Sequence, residues 1–167
     1  GLLLHYKDGA WSQTTVGGVT NDLVSLWQSP DGTGWAVGWN GSLLARRDNS
    51  WSAAPSGTKH DLTAIWGSAP LDIWIVGKGG FVSHYDGRSW TPAPSVTSSN
   101  FWSVFGTSGQ DVWAAGVGPV IHYNGAEWTV GQKDAASPII ALGGSAGEGV
   151  WGVAEDGTVL SCALRSP

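Results

Sequence analysis

Asp61-Leu62-Thr63-Ala64-Ile65-Trp66-Gly67-Ser68, then Ile73-Trp74-Ile75-Val76-Gly77, then Phe81-Val82-Ser83-His84-Tyr85-Asp86-Gly87 with Trp90, sets the architecture because the same spelling returns along the chain. Trp35, Trp74, Trp113 and Trp151 are 39, 39 and 38 residues apart, and Trp11, Trp51, Trp90 and Trp128 are 40, 39 and 38 apart. Two independent columns thus share one period, and a fixed period of this length marks a repeat architecture. A third column reads Leu23 to Trp27, Leu62 to Trp66, Phe101 to Phe105 and Ile139 to Gly143; a fourth reads His5-Tyr6, Ala45-Arg46, His84-Tyr85, His122-Tyr123 and Ser161-Cys162.

Each unit contains four short segments rich in Val, Ile, Trp, Tyr and Thr and bounded by Gly, Pro, Asn and Asp, the pattern of strands joined by tight turns. We label them A to D. The B-to-C turn carries Asn40-Gly41, Gly79-Gly80, Gly118-Pro119 and Asp156-Gly157, and the C-to-D turn Asp86-Gly87 and Asn124-Gly125. Residues that accept positive φ suit two-residue hairpins, so B and C are expected to pair antiparallel. Nothing has a helical period. Four-stranded meanders repeated about every 40 residues are the blades of a β-propeller. The expected fold is therefore all-β, a single propeller domain over residues 1–167 with about four blades: a partial unit over 1–20, units at 21–59, 60–98 and 99–136, and a partial unit over 137–167. The third A position is always small (Ser25, Ala64, Ser103, Ala141), as an innermost strand near an axis requires. Trp27, Trp66, Phe105 and the Trp35 column are expected between blades, and the Val24, Thr63, Trp102 and Ile140 column in the core or between blades.

These residues resemble the tryptophan-rich propeller repeats of bacterial, notably myxobacterial, surface and secreted proteins, and more distantly the WD repeat. Ser29-Pro30-Asp31-Gly32 matches the turn after that repeat's first strand, and His84-Tyr85-Asp86 stands where its Trp-Asp pair would be. The resemblance implies blade folding and a secreted or cell-surface location; it names no substrate.

Composition supplies exclusions. The 167 residues include 26 Gly, 12 Trp and no Met, with 8 Lys plus Arg against 13 Asp plus Glu, a formal net charge of -5. No basic field recruits phosphate backbones, so nucleic acid is not an expected partner. Apolar runs such as Ile73 to Gly77 are far shorter than the roughly 20 residues of a membrane helix, so membrane insertion is not expected. No charged segment precedes Leu2 to Leu4, and the chain is expected to be mature or excised. Cys162 stands alone and reads as a small buried hydrophobe, and no Cys/His spacing suits zinc, so neither metal nor cofactor is expected.

Counting strands gives five of type C and four of each other type, one too many for a strictly closed four-bladed ring. Either the chain is a slice of a larger propeller or copies associate through open edges. Residues that break the columns are the candidates for binding. Trp39, whose counterparts are Lys78, Val117 and Glu155, offers a face for a sugar ring or a protein, or packs on the next blade. Arg46 and Arg47 replace the Tyr and Asp of the C strand and suit an anion or carboxylate; the alternative is an edge pair partly neutralised by Asp48. The candidate ligand-binding set is Trp39, Arg46, Arg47 and Lys78, with no catalytic set. Recurrent His5, His84 and His122 point to a repeated hydrogen bond, His60 to a loop-to-strand polar contact, and Asp72 and Asp111 to turn caps.

Enzyme chemistry finds little support. Ser29 to Trp35 is one residue short of the Asp-box of propeller sialidases, and Arg46, Arg47, Arg88 and Arg165 occupy non-equivalent positions. The expected function is non-catalytic, lectin-like binding of a glycan; the alternative is a protein-interaction or structural propeller that self-assembles through open blade edges, as a homo-oligomer or with the remainder of a larger ring.

Overall fold

Alternating apolar residues and Gly-containing turns produce antiparallel sheets and almost nothing else. The computed structural model describes residues 2–132 and 136–162. A hairpin, β1 (Leu2–Lys7) and β2 (Ala10–Thr15), comes first. Three complete meanders follow: β3 (Leu23–Gln28), β4 (Gly34–Gly38), β5 (Leu43–Arg47) and β6 (Ser50–Ala53); β7 (Leu62–Ala69), β8 (Asp72–Gly77), β9 (Val82–Tyr85) and β10 (Trp90–Pro92); β11 (Phe101–Ser108), β12 (Asp111–Gly116), β13 (Val120–Tyr123) and β14 (Trp128–Gln132). A three-stranded sheet ends the described chain: β15 (Ile139–Ser145), β16 (Gly149–Ala154) and β17 (Val159–Cys162). Every pairing is antiparallel between consecutive strands, so the molecule is all-β and built of four-stranded propeller blades. Residues 163–167 of the last partial unit, Arg165 among them, and the side chain of Cys162 lie outside the described residues.

The A strands β3, β7, β11 and β15 lie side by side, one per blade. Their small third residue does more than save space. As an edge strand, each A strand has amides facing away from its own sheet, and a hydroxyl satisfies one across the blade boundary. Ile65 N–H donates to Ser25 Oγ at 3.3 Å and Leu142 N–H to Ser103 Oγ at 3.0 Å, while Thr63 Oγ1 donates to the Phe101 carbonyl at 2.7 Å. The residue just before is the extra one of a β-bulge in every A strand. That corrects one expectation: Val24 and Ile140 are exposed, because a bulged residue is turned out of the inter-blade core.

Aromatic side chains fill the boundaries. Trp35 meets Tyr85 and Trp90 of the next blade at ring distances of 4.9 and 5.2 Å, and Trp74 meets Tyr123 and Trp128 at 4.7 and 5.3 Å. Trp66 and Phe105 sit 6.1 Å apart nearer the axis. The hairpin β1–β2 packs Leu3 and Val16 against Ala36, Leu44 and Trp51 on the opposite face of the first complete blade.

Among the described residues, the first and last sheets each leave one aromatic face uncovered. Tyr6 and Trp11 form the same pair as Tyr85 and Trp90, with ring centroids 5.3 Å apart, yet Trp11 is 69% exposed. Trp151 belongs to the Trp35 column and is 47% exposed, against 3% for Trp35 and Trp74.

The B-to-C turns hold adjacent blades together. Asn40 and Gly41 both adopt positive φ, as do Gly79 and Gly80. Gly41 N–H donates to the His60 carbonyl and Gly80 N–H to the Ser99 carbonyl, each reaching the segment that leads into the next blade. A Cβ on Gly80 would collide with the Thr97 carbonyl oxygen, whereas one on Gly157, also at positive φ, would meet nothing within 4 Å. Gly80→Ala is therefore expected to lose at least about 2 kcal/mol in urea denaturation, and Gly157→Ala only about 1 kcal/mol.

Candidate functional site

Each B strand carries its column Trp beside a C-strand residue on the same face. In the second and third complete blades that residue is histidine, stacked on the indole at 4.2 Å for His84 on Trp74 and 4.0 Å for His122 on Trp113. The imidazole Nε2 lies 2.6 Å from Asp72 Oδ1 and from Asp111 Oδ1, respectively. Ser68 and Thr107 hydroxyls donate to the same two carboxylates. His84 and His122 thus make the repeated hydrogen bond expected of the recurrent histidines, whereas the His5 side chain makes none among the described residues. Asp72 and Asp111 are their partners rather than simple turn caps. His60 stacks on Phe81 at 5.1 Å instead of making a polar side-chain contact.

The four candidate binding residues separate into three places. Trp39 and Lys78, counterparts in successive blades, come together at the B-to-C end. Lys78 Nζ sits 4.7 Å from the Trp39 ring centroid and donates to Asp61 Oδ2 at 2.9 Å. Asp61 Oδ1 accepts the Asn40 N–H at 2.9 Å. Trp39 is half-buried, and one face of the ring expected to take a ligand carries an ammonium. Arg46 and Arg47 do not share a site, because consecutive strand residues point to opposite faces. Arg46 Nη1 donates to the Gly32 carbonyl at 2.7 Å and Nη2 to Asn49 Oδ1 at 3.0 Å, which fixes the strand end. Arg47 is exposed and reaches the neighbouring blade, where Nη2 lies 3.3 Å from the Tyr85 hydroxyl. Asp48 makes no ion pair with either arginine among the described residues.

Arg47 stands over a cleft between the first and second complete blades. On one side a space of about 490 Å³ is lined by Asp31, Thr33, Trp35, Leu71 and Tyr85. On the other, a space of about 500 Å³ is lined by Trp35, Ala45, Ser52, Tyr85, Arg88 and Trp90. Both volumes lie in the range of ligand clefts. The sequence reading reached Arg47 and missed the rest: Trp35, Tyr85 and Trp90 were absorbed into structural columns, and Arg88 sat in a turn. The legible signal was Ala45 in a histidine column. Among the described residues no group of three or more His, Cys, Asp or Glu is placed to hold a metal. Among the described residues no helix is long and apolar enough to cross a membrane.

No protein family and no curated protein matches this sequence. Solved structures do. The chain is 20% identical to Ycf48 in a structure of YCF48 bound to D1 peptide, with a TM-score of 0.65 over 83% of this chain and 49% of that one. It is 18% identical to YCF48 from Cyanidioschyzon merolae, with a TM-score of 0.67 over 84% of this chain and 50% of that one. The likeness establishes the propeller fold, and the chain spans about half the length of the structures it matches.

Four aspartates are held below the usual carboxylate range by donors in the turns: Asp61 by the Lys78 ammonium and Asn40 N–H, Asp31 by the Ser29 hydroxyl and Thr33 N–H, Asp86 by the Ser89 and Arg88 amides, and Asp156 by the Thr158 amide. A lowered folded-state pKa adds stability above the unfolded value, near about 4, and that stability is lost as pH falls through the folded value. Melting temperature is expected to drop in acid below about pH 4, and Asp61→Asn to make that drop shallower.

Proposed function

We propose that this chain is an arc of a non-catalytic, protein-binding propeller whose open ends are completed by protein. The supporting observation is the complementarity of those ends. An inter-blade boundary is made by a column Trp from one blade and a Tyr–Trp pair from the next. At one end of the arc Trp151 waits without the pair; at the other Tyr6 and Trp11 are a pair without the Trp. Leu2, Leu4, Val153 and Val159 extend these two apolar surfaces. Blades carrying the same boundary, from the same polypeptide or a further copy, bury them; a head-to-tail contact of this kind is heterologous and closes only if the rotation permits. Among the described residues no strand pairs with the outer edge of β17, whose backbone groups another strand can satisfy.

Two further points favour protein over sugar. One face of the Trp39 ring already holds the Lys78 ammonium, and Ycf48, which shares the fold, is known bound to a peptide. The tryptophan-rich bacterial repeat type and a secreted or surface location fit this reading.

Sedimentation of the chain between about 1 μM and 1 mM should show mass rising with concentration, and Trp151→Ser or Trp11→Ser should suppress the rise. A chain that stays monomeric over the whole range contradicts end completion.

A further inference from the structure

The first complete blade departs from its siblings at one place. Cross-strand neighbours on the boundary face read Trp66, Trp74, His84 and Thr91 in the second blade and Phe105, Trp113, His122 and Thr129 in the third. In the first they read Trp27, Trp35, Ala45 and Ser52. A methyl group replaces the imidazole, and Thr33, two residues before Trp35, replaces the carboxylate that Asp72 and Asp111 supply to it. Both halves of the stacked His–Asp pair are missing together, and the roughly 500 Å³ space is bordered by Ala45 and Trp35, which are themselves only 6% and 3% exposed.

The same blade changes the charge at the rim. Arg47 occupies the position of Asp86 and Asn124, whose side chains cap their own turns by accepting two amides each. Asp48 and Asn49, both at positive φ, form a tighter turn that needs no such cap. Arg47 is released to cross the boundary, and Arg88 from the second blade borders the same space. Neither guanidinium is in an ion pair among the described residues, and Arg47 has a single contact, to the Tyr85 hydroxyl. The indole N–H groups of Trp35 and Trp90, which line the cleft, find no acceptor. Trp74 and Trp128 share that orphaned state, whereas the missing imidazole and the two cations belong to this boundary.

We infer that this cleft is a docking site for an acidic peptide: a Glu or Asp carboxylate is taken by the Arg47 and Arg88 guanidinium groups while an adjoining apolar or aromatic side chain enters the space beside Ala45. Guanidinium forks match carboxylates, and an aromatic floor suits a flat apolar group. Asp31 and Asp48 border the outer rim beside Arg47, and a chain of net charge -5 disfavours a multiply charged phosphate more than a single carboxylate. The two spaces share Trp35, Arg47 and Tyr85 as lining and accommodate neighbouring side chains of one peptide. The inference rests on protein being the partner class, but it uses a surface separate from the open ends.

Fluorescence anisotropy with a labelled peptide containing Glu-Phe-Glu tests it. The wild-type chain should bind, and a Gln-Phe-Gln peptide should bind at least about tenfold more weakly. Arg47→Gln and Ala45→His, the latter restoring the imidazole of the sibling blades, should each cost about tenfold or more with melting temperatures at the wild-type level. No binding up to about 1 mM, equal binding of the two peptides, wild-type affinity in the folded Ala45→His variant, or displacement by equimolar inorganic phosphate overturns the assignment. If concentration-dependent association persists while the peptide fails, the cleft assignment alone falls; if the peptide binds a strictly monomeric chain, end completion alone falls.

Discussion

Indole packing across blade boundaries is the constraint from which the rest follows. Few charges, no disulfide among the described residues and short strands leave a single four-stranded sheet with two faces to cover. Trp35 and Trp74 reach 3% exposure where the next blade brings a tyrosine and a second tryptophan against them, and Trp113 reaches 8% against the aliphatic side chains of the last sheet. Side chains of this size bury more apolar surface than any other, and their edge-to-face contacts add to it. One blade is therefore unstable alone, and stability grows by addition of neighbours, as in other repeat architectures. Each end of the arc exposes half of such a boundary for the same reason.

Backbone chemistry locks what the indoles bring together. Hydroxyls at Ser25, Thr63 and Ser103 tie adjacent inner strands, and Asp61 and Asn100 accept amides from the preceding blade's turn. These polar contacts are individually modest, since net hydrogen-bond contributions are about 1 kcal/mol. Their effect is to fix spacing. At Ala45 no imidazole covers the column Trp, yet Trp35 stays as buried as Trp74, at 3% exposure.

Much of the fold was legible because its period is written in bulky residues: the Trp columns, the Asn-Gly and Asp-Gly turns and the small third A position each correspond to an observed feature. The Val24 column misled because a β-bulge reverses which face a residue takes, and β-propensity does not record a bulge. Trp39 and Lys78 were read as counterparts in one column, and they touch because equivalent turns of successive blades are neighbours in space. Arg46 and Arg47 were read as one site although strand alternation sends them to opposite faces. The missing imidazole at Ala45 was visible in its column, but its meaning required knowing that the histidines cover the neighbouring tryptophan.

Equilibrium unfolding of Trp74→Ala beside Trp151→Ala, in dilute solution, tests the boundary packing most directly. The two residues occupy the same column, one inside a complete boundary and one at an open end. Trp74→Ala should lose about 4 kcal/mol and Trp151→Ala under about 1 kcal/mol. Equal losses would show that the blades are held by something other than the indoles between them.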